Sequence, residues 1–562
     1  MNTPRVQRIS GAIAKVAPAR QARLYEVVRI GDDRLIGEVV ELHGETATIE
    51  IYEDTNGLEV GAAVELTGKP LSVALGPGLL GSVLDGSGRR LQQLAESSGA
   101  FIKPGASAAT LDPAQRWSFT PQLTIGSQVG PGDVLGVVQE NPTVTHKVMV
   151  PPHARGTIER IEAGEFTVED EIGALSDGTP LHLQQEWMLR ARRPIARTLP
   201  CDRPFLTHQR VLDLLFTAGE GAAIALPGGF GTGKTVIEQS LARYADADIV
   251  VYVGCGERGN EVADVLQEFP ALIDPRTGRS MMERTVLIVN TSNMPVAARE
   301  SSIYLGLTIA EYYRDMGFRT AVMVDSISRW AEALREMAAR MHELPGEEGY
   351  PAALANRLAR AFERAGRVRA VGEPERIGSL TLIAAISPPG GDFSEPVTQA
   401  AMRVAGALWA LDPRLANQRH FPAVNWETSY SLYLDTIAPW FVEHAGADWT
   451  SVQEDTAELL QRGAELREIA GLIGIDALQD RERLIIECAA LMRDVVLAQS
   501  AFEPNDASSP IGKTYTLARE AMALYKQAAA LIEAGTPIDR ADFEARTTAL
   551  RQSKEAVYEH AQ

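Results

Sequence analysis

The feature that most narrows the possible folds of this chain is the octapeptide Gly228-Gly229-Phe230-Gly231-Thr232-Gly233-Lys234-Thr235. It fits the pattern G-x-x-x-x-G-K-[ST]. The chemistry of that pattern dictates its surroundings. Glycines let successive backbone N–H groups curl around phosphates, and the N-terminus of a following helix adds the positive end of its dipole. A strand must therefore lead in and a helix must lead out. The apolar run Ala222–Leu226 supplies the strand. Lys234–Ala245 supplies the helix, with Val236, Ile237, Leu241 and Tyr244 on one side. In this frame Lys234 reaches the β and γ phosphates of a nucleotide and the Thr235 hydroxyl ligates Mg²⁺. The competing reading is a glycine-rich turn ahead of an ordinary helix.

Further apolar runs at Ile249–Gly254, Val286–Asn290, Thr320–Val324, Leu380–Ile386 and Val404–Ala410 alternate with helical patterns. Near-continuous apolar runs suit parallel strands covered on both faces, so the middle of the chain reads as an α/β core. One of the intervening helices, Arg329–Met341, carries Trp330, Leu334, Met337 and Met341 on a single stripe that marks its core side. Residues 1–70 read instead as short β-branched strands punctuated by Gly, Asp and Asn, the pattern of a small β-barrel. A glycine-rich stretch at 71–110 leads into a second β-rich module at 111–190, with hinge candidates at Pro151-Pro152 and Ala191–Pro194. Beyond about 435 the strands stop. Ala457–Leu472, Asp480–Gln499, Thr514–Glu533 and Arg540–Glu559 are amphipathic patterns of a helical domain at 436–562. The expected fold is a multidomain α/β protein. Its parts are an N-terminal β-barrel, the β-rich module, a nucleotide-binding core and a C-terminal helical domain.

Two acids end apolar runs in this core. Asp325 closes Phe318–Val324 as the acid of a Walker B strand does, where it would hold Mg²⁺ through water. Taken alone, an Asp after a strand reads more often as a cap or turn residue. Glu257 follows the run after the P-loop helix, in Gly254-Cys255-Gly256-Glu257-Arg258-Gly259-Asn260-Glu261. Strand ends on one edge of a parallel sheet converge on a ligand, and a carboxylate there can deprotonate water. From spacing alone, a helix-capping or surface acid remains the commoner reading of Glu257.

Charge and cysteine content exclude several alternatives. Lys and Arg total 54 against 74 Asp and Glu, a formal charge of −20. A chain built to hold nucleic acid needs a dense positive field, so nucleic acid is not an expected partner. Three cysteines, Cys201, Cys255 and Cys488, make neither a disulfide framework nor a zinc spacing. The nine histidines show no metal-binding pattern. No apolar run reaches the 18 residues of a membrane span, and MNTPRVQRIS lacks the apolar core of a secretory signal.

The ordered motifs resemble those of the catalytic A subunits of the vacuolar/archaeal-type rotary ATPases and their bacterial members. The resemblance rests on GGFGTGKT at 228–235, VVYVGCGERGNE at 250–261, NTSNMPVAARE at 290–300, DSISRWAEALRE at 325–336, PGEEGYPA at 345–352, SPPGGDFSEP at 387–396 and HFPAVNW at 420–426. It covers nearly the whole chain, including the β-rich insertion. It implies that the core is RecA-like, at 71–110 and 191–435, with the β-rich module inserted.

The resemblance implies that Glu257 positions the attacking water and that the neighbouring Arg258 helps hold the γ-phosphate side, against a purely structural ion pair for Arg258. It places Phe421 against the adenine, against a core Phe, and gives Phe502 in LAQSAFEPND as a second adenine-side aromatic, against plain packing. It implies ATP or ADP with Mg²⁺ as ligands. It further implies an alternating ring with three regulatory B subunits that supply an arginine in trans. Central-shaft and peripheral-stalk subunits and a membrane sector moving H⁺ or Na⁺ complete the assembly, with this chain on the cytoplasmic face. The chain departs from the family pattern at Gly229, where many relatives have Pro. It also departs at Thr232, where eukaryotic relatives have Cys, at Val324 and Ile327 beside Asp325, and in a shorter C-terminal tail. None of these removes a phosphate or metal ligand. Two other classes fit the P-loop: a non-catalytic nucleotide-binding ring subunit, and a RecA-like hexameric translocase.

Overall fold

In the computed structural model, residues 3–99 and 102–556 are described. They form two compact units, each discontinuous in sequence. The first comprises 1–199, 247–386 and 396–404, and the second 200–246, 387–395 and 405–562.

The first unit opens with a six-stranded antiparallel sheet. Its pairing is closed by a bridge between Arg5 and Ala63, next to the last strand, Val64–Pro70. Alternation drives the closure. Glu26–Ile30 buries every second residue, and Val6, Val16, Val28, Ile30, Val39, Ile49 and Ile51 fill the interior. Two four-stranded sheets follow, between Trp117 and His182.

The core of this unit is parallel. Ile377–Ile386, Arg319–Asp325, Ile249–Glu257, Thr285–Thr291 and Val83–Asp85 lie side by side in that order. Ile249–Glu257 is buried at every residue but its last, which is why it reads as an unbroken apolar run. The helix Val296–Asp315 is buried along all 20 of its residues. Its acids are therefore paired. Glu300 lies 2.6 Å from Arg190, Glu311 2.6 Å from Arg364 and Asp315 2.6 Å from Arg193. The expected hinge at Ala191–Pro194 is thus pinned, because Arg193 is buried and its backbone N–H also donates to Glu311 at 3.0 Å. Trp330, Leu334 and Met337 are buried on the helix Ile327–Arg340, as their stripe implies.

The second unit carries the strand Ala223–Pro227, wholly buried and parallel to the short strand Ala407–Leu408. The apolar run Val404–Ala410 keeps strand pairing only at those two residues, and Val404 still closes the preceding helical turn on Ala401. The helices Trp449–Ile473, Asp480–Leu491, Ile511–Glu533 and Arg540–Glu555 make the C-terminal bundle. Three of them differ from expectation, the first by starting at Trp449 rather than Ala457. After Leu491 the chain widens into a π-type turn, Met492–Leu497, closed by Ala498 N–H donating to Arg493. The last helix stops at Glu555, and 557–559 of its expected range lie outside the described residues. Arg210, fully buried, donates to the carbonyls of Val496 (2.5 Å) and Ala498 (2.6 Å) and meets Asp506 at 2.7 Å.

The junction of barrel and core buries excess acid. Arg190 bridges Glu38 (3.2 Å) and Glu300 (2.6 Å), Tyr52 donates to Glu38 at 3.0 Å, and Glu50 is buried nearby. Burial, reinforced by Glu300 and Glu38, pushes the Glu50 carboxyl up to about 8. Burial also pushes Glu38 up to about 7, against the pull of Arg190. The folded chain therefore holds protons that the unfolded chain sheds above its ordinary carboxyl range. Their contribution is complete on the acid side and is lost as pH rises through about 7–8. The urea midpoint of the full chain should fall between about pH 5 and 8, and Glu50→Gln should flatten that fall. An unchanged slope in the variant would exclude Glu50 as its source.

Candidate functional site

In the second unit, the loop between Pro227 and Lys234 is shaped by its own side chains. Thr232 is buried and turns inward, its hydroxyl donating to the Gly229 carbonyl at 2.8 Å. The helix Lys234–Tyr244 starts on Gly233, which sits in the left-handed region at φ 83° with no side chain capping the first turn. Uncapped N–H groups at a helix start form a ready anion site. Lys234 donates through its ammonium to the Ser387 hydroxyl. Thr235 is exposed on the first turn, and Phe230 stands 95% exposed at the loop tip, away from any packed contact.

Beside this loop lies a cavity of about 510 Å³ lined by Gly231, Thr232 and Gly233 together with Phe421 and Phe502. A Cβ at Gly233 would come within 3.2 Å of the Phe421 ring, so glycine sets how closely that aromatic approaches the loop. Phe421 is held from behind, its carbonyl accepting from Gln499 N–H at 2.7 Å. Phe502 is 87% exposed, on a segment tied by Ser500 N–H donating to Asp506 at 2.7 Å. Two rings from distant parts of the chain thus line one apolar-walled space, which is what a flat heterocycle requires. His420, next to Phe421, is pushed down to about 4 by burial and stays neutral at physiological pH. Val236 also lines this cavity and is 41% exposed, whereas helical periodicity puts it on the core side with Ile237 and Leu241. A cavity wall and a core share one apolar signature, so periodicity cannot separate them.

In the first unit, Glu257 and Asp325 end neighbouring parallel strands, with Asp325 paired in register to Gly254. Asp325 is buried. Glu257 leaves the strand through Gly256, which lies at φ 74°. A Cβ at Gly256 would be 2.7 Å from the Arg329 Cβ and 3.0 Å from the Arg299 Cδ. Arg299 is anchored by donating to the Ser292 carbonyl at 2.7 Å, and Ser292 N–H donates to the Glu257 carbonyl at 2.9 Å. Burial works against the Arg329 guanidinium, but Glu332, Glu257 and Glu261 together hold its charge. Arg258 is exposed and opens the helix Gly259–Ala271, its backbone N–H reaching Glu261 at 3.4 Å and its guanidinium at 4.0 Å. Cys255 is inert, its thiol pushed up to about 12 by burial.

Arg299, Arg329 and Ser387 are the site features that motif reading does not single out. Each stands inside one of the seven motifs, and only the packing around Gly256 and Lys234 distinguishes them from ordinary polar residues. Gly256→Ala should cost about 1–3 kcal/mol, the cost of forcing a side chain into the left-handed region, with Arg299 and Arg329 displaced besides. Urea unfolding of the variant measures it.

A strand, a glycine turn with no cap and a helix starting on that turn, beside an aromatic-lined cavity, define a P-loop nucleotide-binding fold of the α/β class. The family models agree by segment. Residues 208–431 match the ATP synthase alpha/beta family, nucleotide-binding domain, and residues 6–68 that family's beta-barrel domain. Residues 108–190 match the alpha/beta subunit barrel-sandwich domain, and residues 438–541 the C-terminal domain of V and A type ATP synthase. Among curated relatives, the chain is 49% identical to the A subunit of the A-type ATP synthase of Methanopyrus kandleri over 95% of this chain and 91% of that one. It is 50% identical to the V-type ATP synthase alpha chain of Clostridium botulinum over the same shares. To the alpha chain of Anaeromyxobacter dehalogenans it is 52% identical over 94% and 91%. A solved structure of the assembled ATPase EscN, from the enteropathogenic E. coli type III secretion system, aligns with TM-score 0.65 over 92% of this chain and 99% of that one. At 22% identity it shares the fold. The chain belongs to the ATP synthase alpha/beta family, in the branch of the V- and A-type alpha chains, also called A subunits.

Proposed function

We propose that this chain is the catalytic subunit of a rotary V/A-type ATP synthase/ATPase, hydrolysing or making ATP with Mg²⁺ and working with H⁺ or Na⁺ movement across a membrane. The observation that carries the reading is the P-loop of Gly231–Gly233 lining one cavity with Phe421 and Phe502. The aromatic pair takes the adenine. The turn Gly228–Gly233 offers backbone N–H groups to the phosphates, and Lys234 adds a positive charge that moves from Ser387 to the β and γ oxygens.

The Mg²⁺ would be held by Thr235 and by Asp325 through water. Their hard oxygen donors suit that ion, and Thr235 stands exposed at the helix start. Bound there, the ion would neutralise phosphate charge as it develops. Glu257 takes the proton of the attacking water as its oxygen bonds to the γ phosphorus and the bridging oxygen leaves with ADP. Arg299 packs against Gly256 behind Glu257 and steadies the carboxylate's backbone, while Arg258 faces solvent where an incoming γ-phosphate or a partner can meet it. Positioning and charge neutralisation carry most of the rate.

As one component of an ATP synthase the chain works in a complex with other subunits. The proposed partners are three B subunits alternating with three copies of this chain, each B subunit supplying an arginine worth roughly 10³–10⁵ in rate. The shaft and stalk subunits complete the soluble sector on the cytoplasmic face of the membrane. No helix of the described residues is long and apolar enough to cross a membrane.

Steady-state ATPase activity of the chain alone and mixed with its B partner tests the shared site. The expected result is slow turnover alone and strong acceleration in the mixture, lost in Glu257→Gln while ATP binding persists. Lys234→Ala should weaken ATP binding as well as abolish turnover. Equal turnover with and without the partner would rule out an arginine supplied in trans. Wild-type turnover by Glu257→Gln in the assembled ring would rule out its role as base.

A further inference from the structure

The base cavity has a wall that the P-loop chemistry does not account for. Lys554, near the end of the last helix, Arg540–Glu555, lines the same cavity as Phe421 and Phe502. Its ammonium lies 3.6 Å from Asp506, and its side chain is only 19% exposed. Asp506 in turn accepts from Ser500 N–H at 2.7 Å, two residues before Phe502. The same helix end makes two more ties to this segment. The Glu555 carbonyl accepts from the Asn505 side chain at 3.3 Å. The buried Lys513 ammonium donates both to the Asn505 carbonyl at 2.8 Å and to the Ala556 carbonyl at 3.1 Å. The segment bearing Phe502 is therefore fastened to the last turn of the C-terminal helix at three places.

We infer that Lys554 is a positioning residue for the nucleotide. It fixes the Phe502 segment through Asp506 and presents a donor with positive charge on the cavity wall, so the last helix sets nucleotide affinity. The inference rests on reading this cavity as the base pocket. Three features support it. Lys554 is the one residue of the last helix that reaches the cavity wall among the described residues. Burial, the largest influence on it, makes its ammonium harder to keep charged, and Asp506 opposes that effect. Its charge is also felt at His420, beside Phe421. A charged side chain largely withdrawn from water, lining the cavity and 3.6 Å from the carboxylate that holds the aromatic segment, can answer an occupant of that cavity.

The test is equilibrium binding of Mg-ADP to the full chain, with kcat and KM for ATP measured in the ring assembled with its partner subunits. Lys554→Met should weaken Mg-ADP binding roughly 10–150-fold, the loss of one hydrogen bond to a charged group. KM should rise in step with kcat unchanged, and Lys554→Arg should restore affinity to within about twofold. Hydrogen exchange of 499–509 and 550–556 should slow together when Mg-ADP binds to the wild type. Phe421→Ala serves as the control for the pocket itself: if it leaves affinity unchanged, the base-pocket reading fails. If Phe421→Ala weakens binding and Lys554→Met does not, this inference alone falls. An equal loss in Lys554→Met and Lys554→Arg would reduce the residue to packing and overturn it as well.

Discussion

The first unit depends on one helix that has nowhere to put its charges. Val296–Asp315 is buried over its whole length and yet carries Arg299, Glu300, Glu311, Arg314 and Asp315. An unpaired charge in such a place costs several kcal/mol, whereas a paired and hydrogen-bonded one roughly breaks even. The helix therefore draws in Arg190, Arg193 and Arg364 from outside it. Arg190 and Arg193 follow the β-rich insertion, and Arg190 also reaches Glu38 of the barrel. The path of the chain from barrel through insertion to core is thus set by where guanidinium groups must be. The excess acid left at Glu38 and Glu50 is the residue of that arrangement. Arg299, on the same helix, carries the consequence to the candidate site by packing against the turn that aims Glu257.

In the second unit the corresponding constraint is close approach. Gly233 must be glycine for two reasons: its φ of 83° and the Phe421 ring lying where a Cβ would go. One residue thereby determines both the start of the P-loop helix and the distance from the loop backbone to the aromatic wall. Thr232 braces the loop inward on Gly229. The loop so held leaves Thr235 exposed on the first turn of the helix.

Much of this is legible in the sequence, and the reasons differ by element. The parallel core can be read because strands covered on both faces cannot alternate, so Ile249–Glu257 and Arg319–Asp325 announce themselves as apolar runs that end in acids. The P-loop can be read because few other backbones need that spacing of glycines. Glu257 can be placed at a strand end, but its setting between Arg299 and Arg329 cannot, since packing around a glycine leaves no periodic trace. Periodicity misplaces Val236 because a cavity wall is as apolar as a core. The run Val404–Ala410 overstates a strand of two residues, because apolar composition does not report which backbone groups find partners. The π-type turn at Met492–Leu497 and the reach of Lys554 are likewise invisible to patterns of period 2 or 3.6. One is a hydrogen-bond shift and the other a long side chain meeting a segment about fifty residues away.

The second unit ties its aromatic cavity to its helical bundle. The P-loop strand and helix, the aromatic cavity and the C-terminal bundle all fall within one compact unit. Arg210, on the short helix ahead of the P-loop strand, is fully buried and bonded to the Val496 and Ala498 carbonyls and to Asp506. Gln499 accepts from Arg210 N–H at 2.8 Å and donates through its side-chain amide to the His208 carbonyl at 2.9 Å, while its own N–H holds Phe421. The aromatic cavity and the entrance to the helical bundle therefore share hydrogen bonds rather than merely adjoining. Buried bonds of this kind are costly to leave unmade, so displacing the cavity wall would strain the bonds that Arg210 and Gln499 make across it. Among the bonds at stake are those of Arg210 to Val496, within the π-type turn, and to Ala498 just past it, so the turn between the cavity wall and the helix Asp480–Leu491 is held in place.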